Sequence, residues 1–385
     1  MFVVYLILTV QTNTSYEAKI SSAACPARAP LSTPKNLSDK GRSVNFFFPF
    51  HPHHTYSAKM SDTVPVLRKV LTSESEPLAR RFRALFSLKH VACLVPPTED
   101  SLPAIEAIAA GFASPSALLK HELAYCLGQT KNIESVPYLK HVVNDTEEDA
   151  MCRHEAAEAL GALGYEDSLD LLKRLRDDEK ELDIIRETCD IAVDRIIWEN
   201  SEAKKAEQLK PSDFGSIDPA PPMPLKSSEP CIPDLEQTLL DTKLPLFQRY
   251  RAMFGLRDLA SPPDLPTAVD AVNALAKGLK DPSALFRHEV AFVFGQLCHP
   301  ASIPSLTASL SDLSEAGMVR HEAAEALGSL GDEEGVEETL KKFLNDHDEV
   351  VRDSVIVALD MAEFEKNGET QYALMPDSAA PVAAA

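Results

Sequence analysis

The sequence predicts an all-α fold: an α-solenoid of helical hairpin repeats, set in two four-repeat halves related by pseudo-two-fold symmetry. Three observations predict it. The stretch "CRHEAAEALGALG" (Cys152 to Gly164) nearly recurs as "VRHEAAEALGSLG" (Val319 to Gly331), with looser copies "KHELAYCLGQ" from Lys120 and "RHEVAFVFGQL" from Arg287. The histidine–glutamate pairs in these copies lie 33 residues apart within a half and 167 apart between halves. That is the period of a hairpin that buries its apolar face on its neighbours. Segments such as "LPAIEAIAAGFA" and "AVDAVNALAKGL" carry apolar residues three and four apart, and no run alternates as a strand would.

Residues 1–59 read as a disordered N-terminal extension. "MFVVYLILTV" is too short to span a bilayer and lacks the basic flank of a secretory signal, and "NFFFPFHPHH" has no period. Its His51, His53 and His54 have no further ligand types held near them. Met60 reads as the natural beginning of the folded protein. The N-terminal repeat half, 60–198, opens on a cap unit with "RRFRALFSL" from Arg80 and closes on one with "IRETCDIAVDRI" from Ile185. Residues 199–231 carry six prolines within 211–230 and read as a semi-extended, mostly solvated linker. The C-terminal half, 232–365, repeats the cap units as "QRYRAMFGL" from Gln248 and "VRDSVIVALDMA" from Val351. Asp281 is expected to N-cap the helix after Pro282, and Gly128, Gly164, Gly295 and Gly331 are expected near helix ends. Residues 366–385 read as a disordered tail.

Of the 385 residues 44% are hydrophobic and 25% charged, the composition of a globular chain. A net charge of −21 disfavours a nucleic-acid backbone and suits a cationic partner. Seven cysteines without a CxxC read as reduced core residues, which fits a cytoplasmic protein; no membrane association is expected. The sequence holds no G-x-x-x-x-G-K-[ST] and no G-x-S-x-G, and "HEAAE" lacks the second histidine of a zincin.

The chemistry lies in the four pairs His121/Glu122, His154/Glu155, His288/Glu289 and His321/Glu322. His288 falls on one stripe with Leu285, Phe292 and Gly295, facing the core, and Glu289 lies about 100° round the helix. Stacked helices about 8–10 Å apart let such side chains close on one ion. If the halves face each other, four carboxylates balance two divalent cations. Mixed nitrogen and oxygen ligation suits iron or manganese without excluding zinc. The alternative is a non-catalytic repeat scaffold whose pairs are structural. Against it, the dipeptide persists where its flanks have drifted, and the outer repeats lack it. Glu158 and Glu325, four residues after their histidines, read as solvated helix-face charges, the alternative being that they orient a ligand or attract a basic substrate.

Four His–Glu pairs in two blocks of HEAT-type repeats, with "RHEAAEALG" in both and a proline-rich connector, resemble the deoxyhypusine hydroxylases from about Met60 to Phe364. The resemblance implies a di-iron monooxygenase, with two Fe(2+) ions per chain. It implies O2-dependent hydroxylation of the deoxyhypusine side chain of eukaryotic translation initiation factor 5A to hypusine. Carried over position by position, His121, Glu122, His154, Glu155, His288, Glu289, His321 and Glu322 are the metal-ligating set. Glu122 and Glu289 are alternatively the residues that hold the substrate's cationic amine. The implied partners are that factor and molecular oxygen, with no nucleic acid. A bilin-lyase-like HEAT protein shares only the "EALG" flavour of the repeats.

Overall fold

The structure is a computed structural model that describes residues 63–207, 209, 212, 214–224 and 232–366. The expected extension, 1–59, lies outside the described residues, as do the tail beyond 366, His51, His53, His54, Cys25 and Cys231. Among the described residues there are seventeen α-helices and no strand. Sixteen of them pair into eight hairpins. In the first half these are α1 (Thr63–Leu71) with α2 (Leu78–Ala92), α3 (Ser101–Ala110) with α4 (Ala117–Gly128), α5 (Val136–Asn144) with α6 (Ala150–Leu163), and α7 (Leu169–Asp177) with α8 (Asp183–Glu199). A short α9 (Glu202–Ala206) opens the connector. The second half holds α10 (Ile232–Leu240) with α11 (Leu246–Leu259), α12 (Ala268–Ala276) with α13 (Ala284–Leu297), α14 (Ile303–Ser311) with α15 (Gly317–Gly328), and α16 (Val336–Lys341) with α17 (Glu349–Lys366).

The second helix of each hairpin faces inward. These inner helices pack side by side through α2, α4, α6 and α8, then across to α11, α13, α15 and α17, which returns to α2. The circuit therefore closes, and the pseudo-two-fold relates its two arcs. An arginine near the start of five inner helices fixes each hairpin. Arg81, Arg153, Arg186, Arg249 and Arg320 each donate from Nε to the carbonyl ten residues earlier, at Leu71, Val143, Arg176, Leu239 and Leu310. Each bond satisfies a carbonyl that the end of the outer helix leaves open.

Several local expectations are revised. The cap of α13 is Ser283, whose hydroxyl accepts from Phe286 N at 3.1 Å. Asp281 instead accepts from Ser283 N at 2.9 Å and pairs with Arg249. The four glycines do fall near helix ends, as expected, but only Gly164 ends its helix in the left-handed region, at φ 76. Gly128 sits at a helix crossing, where an added Cβ would lie 2.8 Å from Ala159 Cα. α13 continues past Gly295 to Leu297. The expected buried cysteines hold for Cys126, Cys152 and Cys189, while Cys93 and Cys298 are half-buried; all five are free.

Within 214–223 the connector is docked, not solvated. Phe214 is 6% exposed and Ala220 fully buried. Ile217 N donates to Gln129 Oε1 at 2.7 Å on α4, while Gln296 Nε2 on α13 donates to Ser216 Oγ at 2.8 Å. Asp218 pairs with the fully buried Arg257 at 2.7 Å. The segment thus straps one arc to the other, because paired glutamines at equivalent helix positions offer it both donors and acceptors.

Candidate metal centre

α4 and α6 bring His121 and His154 to the centre from one arc, and α13 and α15 bring His288 and His321 from the other. Ring centroids are 5.4 Å apart for His121–His154 and His288–His321, and 5.3 Å apart for His121–His321 and His154–His288. Across the quartet His121 and His288 are 6.0 Å apart. A flat square of that side would have a longer diagonal, so the four rings are puckered toward a tetrahedron.

The carboxylates interleave with the rings. His121 Nε2 lies 3.3 Å from Glu155 Oε2, and His288 Nε2 lies 3.4 Å from Glu322 Oε2. These are the same contact in each arc, made by the histidine of one hairpin and the glutamate of the next. All eight predicted residues are at most 2% exposed. Yet none of the eight imidazole nitrogens has a hydrogen-bond partner, nor do both oxygens of Glu322 or Oε1 of Glu289. Buried polar atoms without partners cost about 1–3 kcal/mol each, so a set this dense needs something else to satisfy it.

The electrostatics agree. Burial, reinforced by His321 and His288, pushes His121 down to about 3. Burial and the other imidazoles carry His154 well below its usual range. Burial raises Glu155 to about 8 and takes Glu289 well above the carboxylate range. Left to themselves, these four groups shed charge. Divalent cations would take the neutral imidazoles as they stand and would reverse the tendency of the carboxylates by favouring their ionised form.

Three sets of ligand atoms lie within 4.8 Å of one another: His121/His154/Glu155, His321/Glu322/Glu325 and His121/His288/His321. The last draws on both arcs, so the centre is one shared cluster. Glu325 is not the solvated charge that the sequence suggested. It is 4% exposed and places Oε1 3.7 Å from His321 Nδ1. Burial opposes its charge, but the imidazole beside it prevails and holds it at about 2, while His321 is raised. Its counterpart Glu158 is half-buried, and burial together with Glu155 takes it well above the carboxylate range. The available signal was repetition: both occupy the fourth position after a histidine in the second inner unit of each half.

The family of HEAT repeats matches residues 102–190 and 249–360. The chain is 79% identical over 321 residues to "Deoxyhypusine hydroxylase" of Emericella nidulans, covering 83% of this chain and 96% of that one. It is 81% identical over 324 residues to the enzyme of the same name from Aspergillus niger, covering 84% and 96%. It belongs to the deoxyhypusine hydroxylase family. The fold is that of the family too: human deoxyhypusine hydroxylase in complex with glycerol superposes with a TM-score of 0.69 at 41% identity, over 79% of this chain and 97% of that one. Deoxyhypusine hydroxylases are enzymes, and the buried His/Glu cluster is of the kind that holds metal. Among the described residues no helix is long and apolar enough to cross a membrane.

Proposed function

We propose that this chain binds two iron ions at the imidazole quartet and hydroxylates the deoxyhypusine side chain of translation initiation factor 5A, using molecular oxygen. The observation that carries the reading is the set of unpartnered imidazole nitrogens in a closed, buried cluster. In a scaffold with structural His–Glu pairs, those nitrogens would bond to protein. His121, His154, His288 and His321 are assigned as ligands with Glu155 and Glu322. Glu122 and Glu289 either complete the metal set or hold the cationic amine.

When bound, the iron pair supplies oxygen activation for insertion into an unactivated C–H bond. The protein's own work is positional. The closed circuit of inner helices excludes water from the centre, and the shared quartet would hold the ions side by side for one substrate side chain. The excess of acidic side chains, 59 against 38 basic, favours arrival of a side chain bearing amines. Free buried thiols fit a reducing, cytoplasmic setting.

Iron analysis of the purified protein should give close to two ions per chain, and oxygen-dependent formation of hypusine should follow on deoxyhypusine-containing factor. A folded protein with full iron and no hypusine formation refutes the assignment of substrate. A folded protein without iron refutes the metal centre.

A further inference from the structure

The ligand set is symmetric, but the substrate is not: one end of its side chain is anchored in a protein and the other is cationic. Something beside the centre must tell one direction from the other. The four ligating helices carry Tyr125, Glu158, Phe292 and Glu325 at the fourth position after their histidines. The pseudo-two-fold therefore pairs glutamate with glutamate, but tyrosine with phenylalanine.

Tyr125 and Phe292 are each 4% exposed, so both do the same packing work. Only one carries a hydroxyl, and Tyr125 Oη is buried without a hydrogen-bond partner. Its position is set by the helix. His121, Tyr125 and Gln129 recur every four residues on one stripe of α4, each about 6 Å beyond the last. The first stands in the quartet and the last holds the strap at Ile217. His288, Phe292 and Gln296 repeat the stripe on α13, with Gln296 bonded to Ser216 and Asp218. Tyr125 and Phe292 thus occupy the layer between the metal centre and the strap. Burial and the charges of Glu122, Asp218 and Glu155 raise the phenol well above its usual range, so it stays neutral.

The next layer out is also asymmetric. Lys89 holds its ammonium 5.2 Å over the Tyr125 ring, while its counterpart Arg257 is engaged by Asp218, Asp258 and Gln296. An unsatisfied hydroxyl kept where phenylalanine would pack equally well costs stability. A ligand that supplies the missing partner would offset that cost.

Building on the hydroxylase reading, we propose that Tyr125 is a substrate contact that sets the direction of the aminated side chain. Its phenol oxygen accepts from the cationic amine on the N-terminal side, and Phe292 lies along the methylene run on the other. Tyr125→Phe makes the two sides alike. The test measures KM, kcat, iron content and Tm with the metal-loaded enzyme and deoxyhypusine-containing factor. It adds the dissociation constant for the same factor without oxygen. The expected result is a roughly tenfold rise in KM and in the dissociation constant, the loss of one hydrogen bond to a charged group. Iron content and kcat stay nearly unchanged, and Tm is unchanged or raised because an unsatisfied hydroxyl is gone. Unchanged affinity overturns the proposal, and so does a fall in Tm, which marks a structural hydroxyl. In the double variant Tyr125→Phe/Phe292→Tyr the hydroxyl sits on the opposite side; full recovery of KM there also overturns it. Turnover by the unaltered protein is the control: its absence defeats the hydroxylase reading itself, not this one.

Discussion

The inner and outer hairpins put different residues at one and the same place. Aligned on the residue that opens each inner helix, the position of His121, His154, His288 and His321 is filled in the outer units by Phe82, Glu187, Tyr250 and Asp353. Phe82 and Tyr250 are buried plugs, Tyr250 resting 5.5 Å from the Phe286 ring. Glu187 and Asp353 reach across the pseudo-two-fold instead. Ser283 Oγ donates to Glu187 at 2.7 Å and Ser116 Oγ to Asp353 at 3.1 Å, and both serines cap histidine-bearing helices. A single helix position thus packs the ends, clasps the arcs and lines the candidate metal centre, according to where its hairpin falls in the circuit.

The largest expected effect comes from breaking the inner class. His154→Ala removes one corner of the quartet, and its ring lies 5.4 Å and 5.3 Å from His121 and His288. Because one ligand group draws on both arcs, occupancy should fall at both ions, with affinity down by at least about 100-fold. Metal analysis after dialysis checks this. Retention of one full ion would show two independent half-sites and undo the picture of a shared cluster.

A pH series sharpens the same contrast. In metal-free protein Glu155 is raised to about 8, so the folded state favours its neutral form. The stability it gives is complete below the ordinary carboxylate value and drains away as pH rises toward 8. His121, lowered to about 3, works in the opposite sense: its contribution is complete above the ordinary imidazole value and is lost as pH falls toward 3. Between those ordinary values the two slopes oppose each other. Metal-free protein should therefore be most stable in mildly acidic solution and lose a few degrees of Tm by pH 8.5. Iron-loaded protein should not show the alkaline loss. Parallel curves for the two forms would disconnect these residues from the metal.

Much of this was legible in the sequence, and the boundary is physical. The repeat period, the helical class and all eight converging residues follow from local spacing, since a helix fixes which side chains share a face. The revisions concern contacts between residues far apart in the chain. Nothing within Ser216–Ala220 signals that Gln129 and Gln296 bind it, so the connector read as solvated. Glu325 read as a surface charge because its helix stripe is flanked by alanines, and small residues leave the face ambiguous until neighbours are placed. Asp281 looked like a cap because aspartate suits that role, yet Ser283, two residues on, takes it and frees Asp281 for Arg249.

The smallest effect tests the outer class by itself. Glu187→Ala with Asp353→Ala removes both clasps and touches none of the eight residues of the His–Glu pairs. Each lost bond should cost about 1 kcal/mol, or roughly 2–4 °C of Tm for a domain of this size. Iron at the proposed centre would also tie the arcs together, since both arcs supply its residues and binding stabilises the state that holds the ions. The drop should consequently be larger in metal-free than in iron-loaded protein, with iron content unchanged. Equal drops in the two forms would mean that clasp and metal act on separate parts of the fold. Loss of iron would mean that Glu187 and Asp353 set the spacing of the quartet, and the division between the two classes of hairpin would collapse.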